Sequence, residues 1–102
     1  MCKNTEDIVA SNPCSEFVFL NETACNLVSI NLKKFSYPDF NLEEFQHVVQ
    51  MMILCQDILV DMSGYPSAEI AEKTHDYRPL GIGLTGVGAF LMQNAIAYNS
   101  HQ

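Results

Sequence analysis

Positive charge is scarce in this chain: five Lys and Arg stand against twelve Asp and Glu, for a formal charge of −7, and no basic cluster exceeds Lys33-Lys34. A protein that tracks a nucleic-acid backbone needs a basic patch to displace counterions, so no nucleic acid polymer is expected as a partner. A single nucleotide stays open, because helix ends or residues elsewhere can hold its phosphates. Long apolar runs are missing too. None approaches the roughly 18–20 residues that cross a bilayer, so no membrane is expected as a partner. Glu6 and Asp7 stand where a secretion signal would be basic and then apolar. The expected location is cytoplasmic.

Paired cysteine motifs are lacking as well. Cys2, Cys14, Cys25 and Cys55 contain no Cys-x-x-Cys, and no His-x3-5-His accompanies them. That argues against a structural zinc site and against a thiol oxidoreductase built on a low-pKa Cys-x-x-Cys. A permanent disulfide is disfavoured in a reducing compartment, whereas a transient catalytic one is permitted there. There are no internal repeats, low-complexity tracts or linkers.

What is present begins with Asn12-Pro13-Cys14-Ser15-Glu16 and a second cysteine at Cys25. Pro13 holds its φ at about −65° and removes a donor, which places Cys14 on a bend or loop tip. From such a turn a thiol, a carboxylate two residues on and a carboxamide two residues back can converge on one small substrate. Glu16 can take or return a proton, Asn12 can donate and accept hydrogen bonds, and Cys14 offers one- or two-electron sulfur chemistry. Taken alone, a single cysteine is more often a small buried hydrophobe than a catalyst.

Phe17-Val18-Phe19-Leu20 has the composition of a short buried strand, followed by a turn at Asn21-Glu22-Thr23. Residues 26–32 fit a second strand or a short helical turn, and residues 33–41 a loop. Phe45, Val48, Val49, Met52, Cys55, Ile58, Leu59 and Met62 recur at helical spacing and predict an amphipathic helix over about 42–63. Asn41 with Glu44 forms its capping signal and Gly64 its stop. Cys55, on the apolar stripe, reads as structural, and His47 as a surface or boundary residue. Further helices are expected over 68–76, opened after Pro66-Ser67, and 86–98, with a short strand at 80–84. This order suits a slice of an α/β domain. Gly81-Ile82-Gly83-Leu84-Thr85-Gly86 matches G-x-G-x-x-G, but Asp76-Tyr77-Arg78-Pro79 upstream is poor strand material, and no acid follows about 20 positions on. Close backbone packing explains these glycines better.

The stretch from Ala10 to Phe17, continued by Thr23-Ala24-Cys25-Asn26-Leu27-Val28-Ser29-Ile30-Asn31-Leu32, resembles the catalytic segment of ribonucleotide reductase large subunits, most closely the adenosylcobalamin-dependent (class II) branch. Arg78-Pro79-Leu80-Gly81-Ile82-Gly83, Ala89-Phe90-Leu91-Met92 and Tyr98-Asn99-Ser100 resemble the family's next landmark, in the same order. The first motif with its spaced cysteine is specific; the second supports it.

The resemblance implies an α/β fold, a fragment of the ribonucleotide reductase α/β barrel with its finger loop, short strands and a long amphipathic helix. Residues 1–102 would be part of that catalytic domain and depend on its remainder as a partner. The implied reaction is reduction of ribonucleoside di- or triphosphates to deoxyribonucleotides by thiyl-radical chemistry. By the same resemblance Cys14 becomes the thiyl radical, Glu16 takes the 3′-hydroxyl proton, Asn12 holds the substrate hydroxyls with Ser11 and Ser15 beside it, and Cys25 is one member of the reducing dithiol. Its partner cysteine is not evident here; Cys2 lies too close to the finger loop and Cys55 sits mid-helix. Adenosylcobalamin and a thioredoxin- or glutaredoxin-like reductant are implied as cofactor and partner. Asn-Pro-Cys also occurs in class I large subunits, which draw their radical from a separate subunit, so that branch is the alternative. A non-catalytic interaction fragment retaining the motif as inherited packing is another.

Overall fold

Two strands with helices between them organise the chain. The computed structural model describes residues 2–36 and 39–100. In order, these form β1 (Asn26–Asn31), a 3-10 helix (Leu32–Phe35), α1 (Leu42–Met62), α2 (Ala68–Tyr77), β2 (Leu80–Thr85) and α3 (Val87–Gln93). β1 and β2 pair as a two-stranded sheet. Gly81 lies against Cys25, Asn26 and Leu27, Gly83 against Val28 and Ser29, and Gly86 against Asn31 and Lys33, so the strands run parallel. A parallel pair needs a long crossover, which α1 and α2 supply. The mixed α/β class is as expected, and the sheet is not closed into a barrel.

By its contacts the chain divides into two units, Met1–Leu27 with Cys55–Gly81, and Val28–Leu54 with Ile82–Gln102. In the first, Leu20, Val60, Gln56 and Thr74 are buried. Phe19 meets Tyr77 edge-on at a centroid separation of 6.0 Å. Arg78 closes this unit's helices together: its guanidinium donates to Asp57 Oδ1 at 2.6 Å and to Asp61 Oδ1 at 2.8 Å. In the second unit Phe35, Phe40, Phe45 and Phe90 form an aromatic cluster with centroid separations of 5.5 to 6.5 Å, a spacing that favours edge contacts. There α3 rests on the 3-10 helix.

The helix starts follow local chemistry. Asn41 Oδ1 accepts the Glu44 N–H at 3.0 Å, and Asn41 Nδ2 donates to Glu44 Oε2 at 3.1 Å. The reciprocal bond of a capping box thus runs through the side-chain amide, because the Asn41 N–H is already given to Phe35 O. Ser67 caps α2 by accepting the Ile70 N–H.

Several expectations are corrected. Residues 17–20 form no strand, since their backbone finds no neighbouring strand and their aromatic rings pack on one another and on Tyr77 instead. The β-like composition reports burial at Leu20, not a ladder. Residues 26–32 are a strand as far as Asn31; Asn31 Oδ1 then accepts the Lys33 N–H and opens a 3-10 helix inside the expected loop. Tyr37 and Pro38 of that loop lie outside the described residues. α1 ends at Met62 without a left-handed glycine at Gly64; Tyr65 Oη instead donates to the Val60 carbonyl at 2.8 Å. α3 stops at Gln93, short of the expected 98, where Asn94 Nδ2 donates to Phe90 O and Ala95 turns the chain at φ 53°.

The buried face of α1 also departs from expectation. Phe45, Val48, Val49 and Met52 are half-buried as predicted, but the face then continues through Gln56 and Val60. Cys55, Ile58, Leu59 and Met62 are exposed in this chain. A 3.6-residue period carries Phe45, Val49, Met52, Gln56 and Val60 along one line, and the remaining apolar residues lie off it.

Candidate active site

A closed turn carries the first motif. The Ser15 N–H donates to the Asn12 carbonyl at 3.0 Å, with Pro13 and Cys14 at its two central positions. Proline suits the first of those positions because its φ is already set. Ser15 then adopts a left-handed conformation at φ 63°, which reverses the chain. The Asn12 N–H donates to Phe17 O at 3.2 Å, and the Phe17 N–H donates to Asn12 Oδ1 at 3.1 Å. Asn12 therefore ties both ends of the turn.

Its remaining side-chain group, Nδ2, donates to Glu16 Oε1. Ser11 Oγ donates to Ser15 Oγ at 3.3 Å. Five of the six expected site residues thus sit on one turn, with Cys14 exposed at its tip. The carboxamide and carboxylate are held together by this hydrogen bond. A carboxylate can exchange a proton and a carboxamide can both donate and accept hydrogen bonds. Beside the turn Ala10, Asn12, Phe17, Phe19 and Thr23 help line a depression of about 250 Å³.

Cys25, the sixth, lies in the same unit just before β1, half-buried. Its S–H donates to the Asn26 carbonyl at 3.6 Å. Burial first, and the negative charge of Glu16 second, push this thiol above the usual cysteine range. The two motif segments are therefore electrostatically linked through Glu16. Both causes favour the neutral thiol over the thiolate.

Reading the sequence missed the residues that hold the Cys25 segment. Thr74 Oγ1 accepts the Ala24 N–H at 2.9 Å. Gln56 Nε2 donates to Asn26 O at 2.7 Å and to Gly81 O at 2.9 Å. Gly81 is needed there: a Cβ would fall 2.5 Å from Leu27 Cδ2 and 3.3 Å from Cys25 Sγ. The available signal was a polar residue, Gln56, in line with Phe45, Val49, Met52 and Val60. The glycine-rich stretch is likewise a packing feature, since Gly81 and Gly83 lie inside β2 and Gly86 caps α3 at φ 74°.

The family model of the ribonucleotide reductase barrel domain matches residues 1–102. The chain belongs to that family. Among similar proteins, the vitamin B12-dependent ribonucleotide reductase of Rhodopirellula baltica is 46% identical over 101 residues, covering 97% of this chain and 10% of that protein. Those of Bradyrhizobium diazoefficiens and Streptomyces clavuligerus, carrying the same name, are 40% and 41% identical over 99% and 97% of this chain. They are covered to 8% and 11%. The chain thus spans about a tenth of the length of these relatives. No solved structure matches it at a significant level.

Proposed function

We propose that this chain is part of the catalytic barrel of an adenosylcobalamin-dependent ribonucleotide reductase, and that it carries the radical cysteine, the substrate-hydroxyl contacts and one thiol of the reducing pair. The observation that carries this reading is the turn itself, where Asn12 fixes both backbone ends and holds Glu16 while Cys14 stands exposed between them. The names of the relatives bring the cofactor.

The turn and the depression beside it do not by themselves enclose a cobalamin. The depression beside the turn, at about 250 Å³, is smaller than the ~300–1,000 Å³ that encloses a drug-sized ligand, and no cluster of three potential metal ligands occurs among the described residues. When bound, the cofactor would supply the radical.

A sulfur radical at Cys14 takes the hydrogen from C3′ of the ribose, breaking C–H and forming S–H. Glu16 accepts the 3′-hydroxyl proton while Asn12 holds the hydroxyls, with Ser11 and Ser15 beside them. The 2′-hydroxyl, a poor leaving group on an unactivated carbon, then departs as water. Cys25 and a second thiol from outside this chain supply the proton that leaves with that water, the hydrogen that C2′ gains and a second electron, and become a disulfide; Glu16 returns its proton to O3′ and Cys14 its hydrogen to C3′. Ribonucleotide plus dithiol becomes deoxyribonucleotide plus disulfide plus water. A thioredoxin- or glutaredoxin-like protein reduces the disulfide. The substrate is a ribonucleoside di- or triphosphate and the setting the cytoplasm.

The test is reduction by the full-length protein. With adenosylcobalamin and a dithiol it should form deoxyribonucleotide, and omission of either should stop it. Product that requires a separate metal-containing subunit in place of adenosylcobalamin would move the chain to class I. No product under any of these conditions would favour a non-catalytic role.

A further inference from the structure

Gln56 is 4% exposed, yet it belongs to a helix face otherwise built from apolar residues. Its amide spans two chain segments. Nε2 donates to the carbonyls of Asn26 and Gly81, and Asn26 Nδ2 returns a bond to the Gln56 backbone carbonyl at 3.3 Å. The side-chain oxygen Oε1 is buried without a partner. Exchanging the amide's nitrogen and oxygen would set the oxygen against two carbonyls, so the orientation is determined. A buried polar atom without a partner costs about 1–3 kcal/mol. Mere core filling would place a leucine or methionine here without that cost.

The Asn26 carbonyl that Gln56 engages is the one that accepts the Cys25 S–H. The geometry points to Gln56 as a positioning residue for Cys25: it holds the Asn26 carbonyl against the thiol, draws negative potential away from it, and keeps the Gly81 backbone beside the sulfur. An unengaged carbonyl next to Sγ favours the thiol over the thiolate, because it accepts from the neutral form and repels the charged one. With two N–H donors shared between the Asn26 and Gly81 carbonyls, that penalty is reduced. Gln56 thus sets how readily a half-buried thiol deprotonates when it must attack, or leave from, a disulfide. Glu16 is the charged group acting on Cys25, while α1, α2 and β2 present Gln56, Thr74 and Gly81 to its segment, none of which titrates.

This role rests on the reading of Cys25 as redox-active, but its measurement does not. In the full-length protein, the pH dependence of Cys25 alkylation by iodoacetamide is followed by peptide mass spectrometry. Gln56→Met keeps the volume and removes both donors. Its Cys25 midpoint should rise by about half a pH unit or more, a roughly threefold loss of rate at fixed pH below the midpoint. Val60→Ala, one turn along the same buried face, loosens packing and should leave the midpoint unchanged. An unmoved midpoint in Gln56→Met, or an equal shift in Val60→Ala, overturns the proposal. Should Gln56→Met fail to fold, Gln56→Glu serves: protonated, it keeps one O–H donor and should follow the parent, and it should depart upward once ionised. A profile parallel to the parent throughout overturns the proposal. Full multiple-turnover activity in Cys25→Ser would instead remove the redox reading and leave the alkylation result standing.

Discussion

Thr74 Oγ1 accepts the backbone N–H of Ala24 at 2.9 Å, across fifty residues of sequence. Thr74 is 1% exposed, and the bond fixes the residue immediately before Cys25. Gln56 holds the residue immediately after it. In the full-length protein, Thr74→Val keeps the shape and leaves the Ala24 N–H without an acceptor. A loss of about 1–3 kcal/mol is expected from denaturant midpoints, with Thr74→Ser recovering most of it. Equal stabilities for Val and Thr at this position would show that water or another group replaces the bond.

Cys14 is exposed at the tip of its turn, which among the described residues is closed by the Ser15-to-Asn12 backbone bond. In the full-length protein, Cys14→Ser should therefore leave folding and nucleotide binding nearly intact and abolish deoxyribonucleotide formation, because an alcohol O–H is too strong to relay the radical. Turnover above a few per cent of the parent would remove Cys14 from the radical role.

Cys25 and Glu16 give a prediction in pH. Burial and the Glu16 charge raise the folded-state pKa of Cys25, so its contribution to stability is present below the unfolded thiol pKa and is lost as pH rises through the raised folded value. Glu16→Gln removes the smaller of the two causes. The Cys25 alkylation midpoint should fall toward the ordinary cysteine value of about 8.5 without reaching it. The same substitution should slow reduction itself, since an amide cannot accept the 3′-hydroxyl proton. A midpoint that rises in Glu16→Gln would contradict the electrostatic link. Cys25→Ser should stop multiple turnover while leaving radical formation at Cys14 detectable.

Arg78 binds Asp57 and Asp61 from a left-handed backbone at φ 44°. Its hydrogen bond holds the Asp61 carboxyl below the usual range, and the Arg78 guanidinium is itself shifted up by both aspartates, Asp61 first. For a lowered carboxylate, stability is present above the unfolded pKa, near 3.9 for an aspartate, and is lost as pH falls through the lower folded value. Acid unfolding of Arg78→Gln should lose that component, and salt should weaken the parent more than the variant. Identical acid transitions would show that the pair contributes nothing.

What the sequence revealed depended on whether a local rule was enough. Asn41 with Glu44, Ser67 before α2, and Pro13 inside a turn each act over three or four residues, and each appears as expected. The inner face of α1 does not follow from such rules. Met51, Cys55, Ile58 and Met62 make a second apolar line beside that of Phe45, Val49, Met52 and Val60, and only packing chooses between them. Gln56 was hidden for the same reason: its partners, Asn26 and Gly81, are 30 and 25 residues away. Phe17–Leu20 misled because aromatic and β-branched composition signals burial whether or not a strand partner exists. The turn's grouping of Asn12, Cys14 and Glu16 was legible from spacing; the chemical roles came from the family resemblance.

Exposed apolar surface gives the last prediction. Met62 is 77% exposed, Met92 80% and Leu27 64%, alongside Met51, Ile53, Leu54, Ile58 and Leu59 on α1. The sheet has two strands, so each offers an unpaired edge. Marginal stability arises where little apolar area is buried against the entropy of ordering the chain. The relatives are about ten times longer, and additional strands and helices of such a chain would cover these faces. The 102 residues expressed alone should therefore aggregate or melt broadly without a cooperative transition, and should reduce no ribonucleotide with adenosylcobalamin and dithiol. Calorimetry and a product assay check both halves. A sharp two-state melt together with measurable reduction would show that this segment is an autonomous catalytic domain, and would require the second thiol to be Cys2 or Cys55.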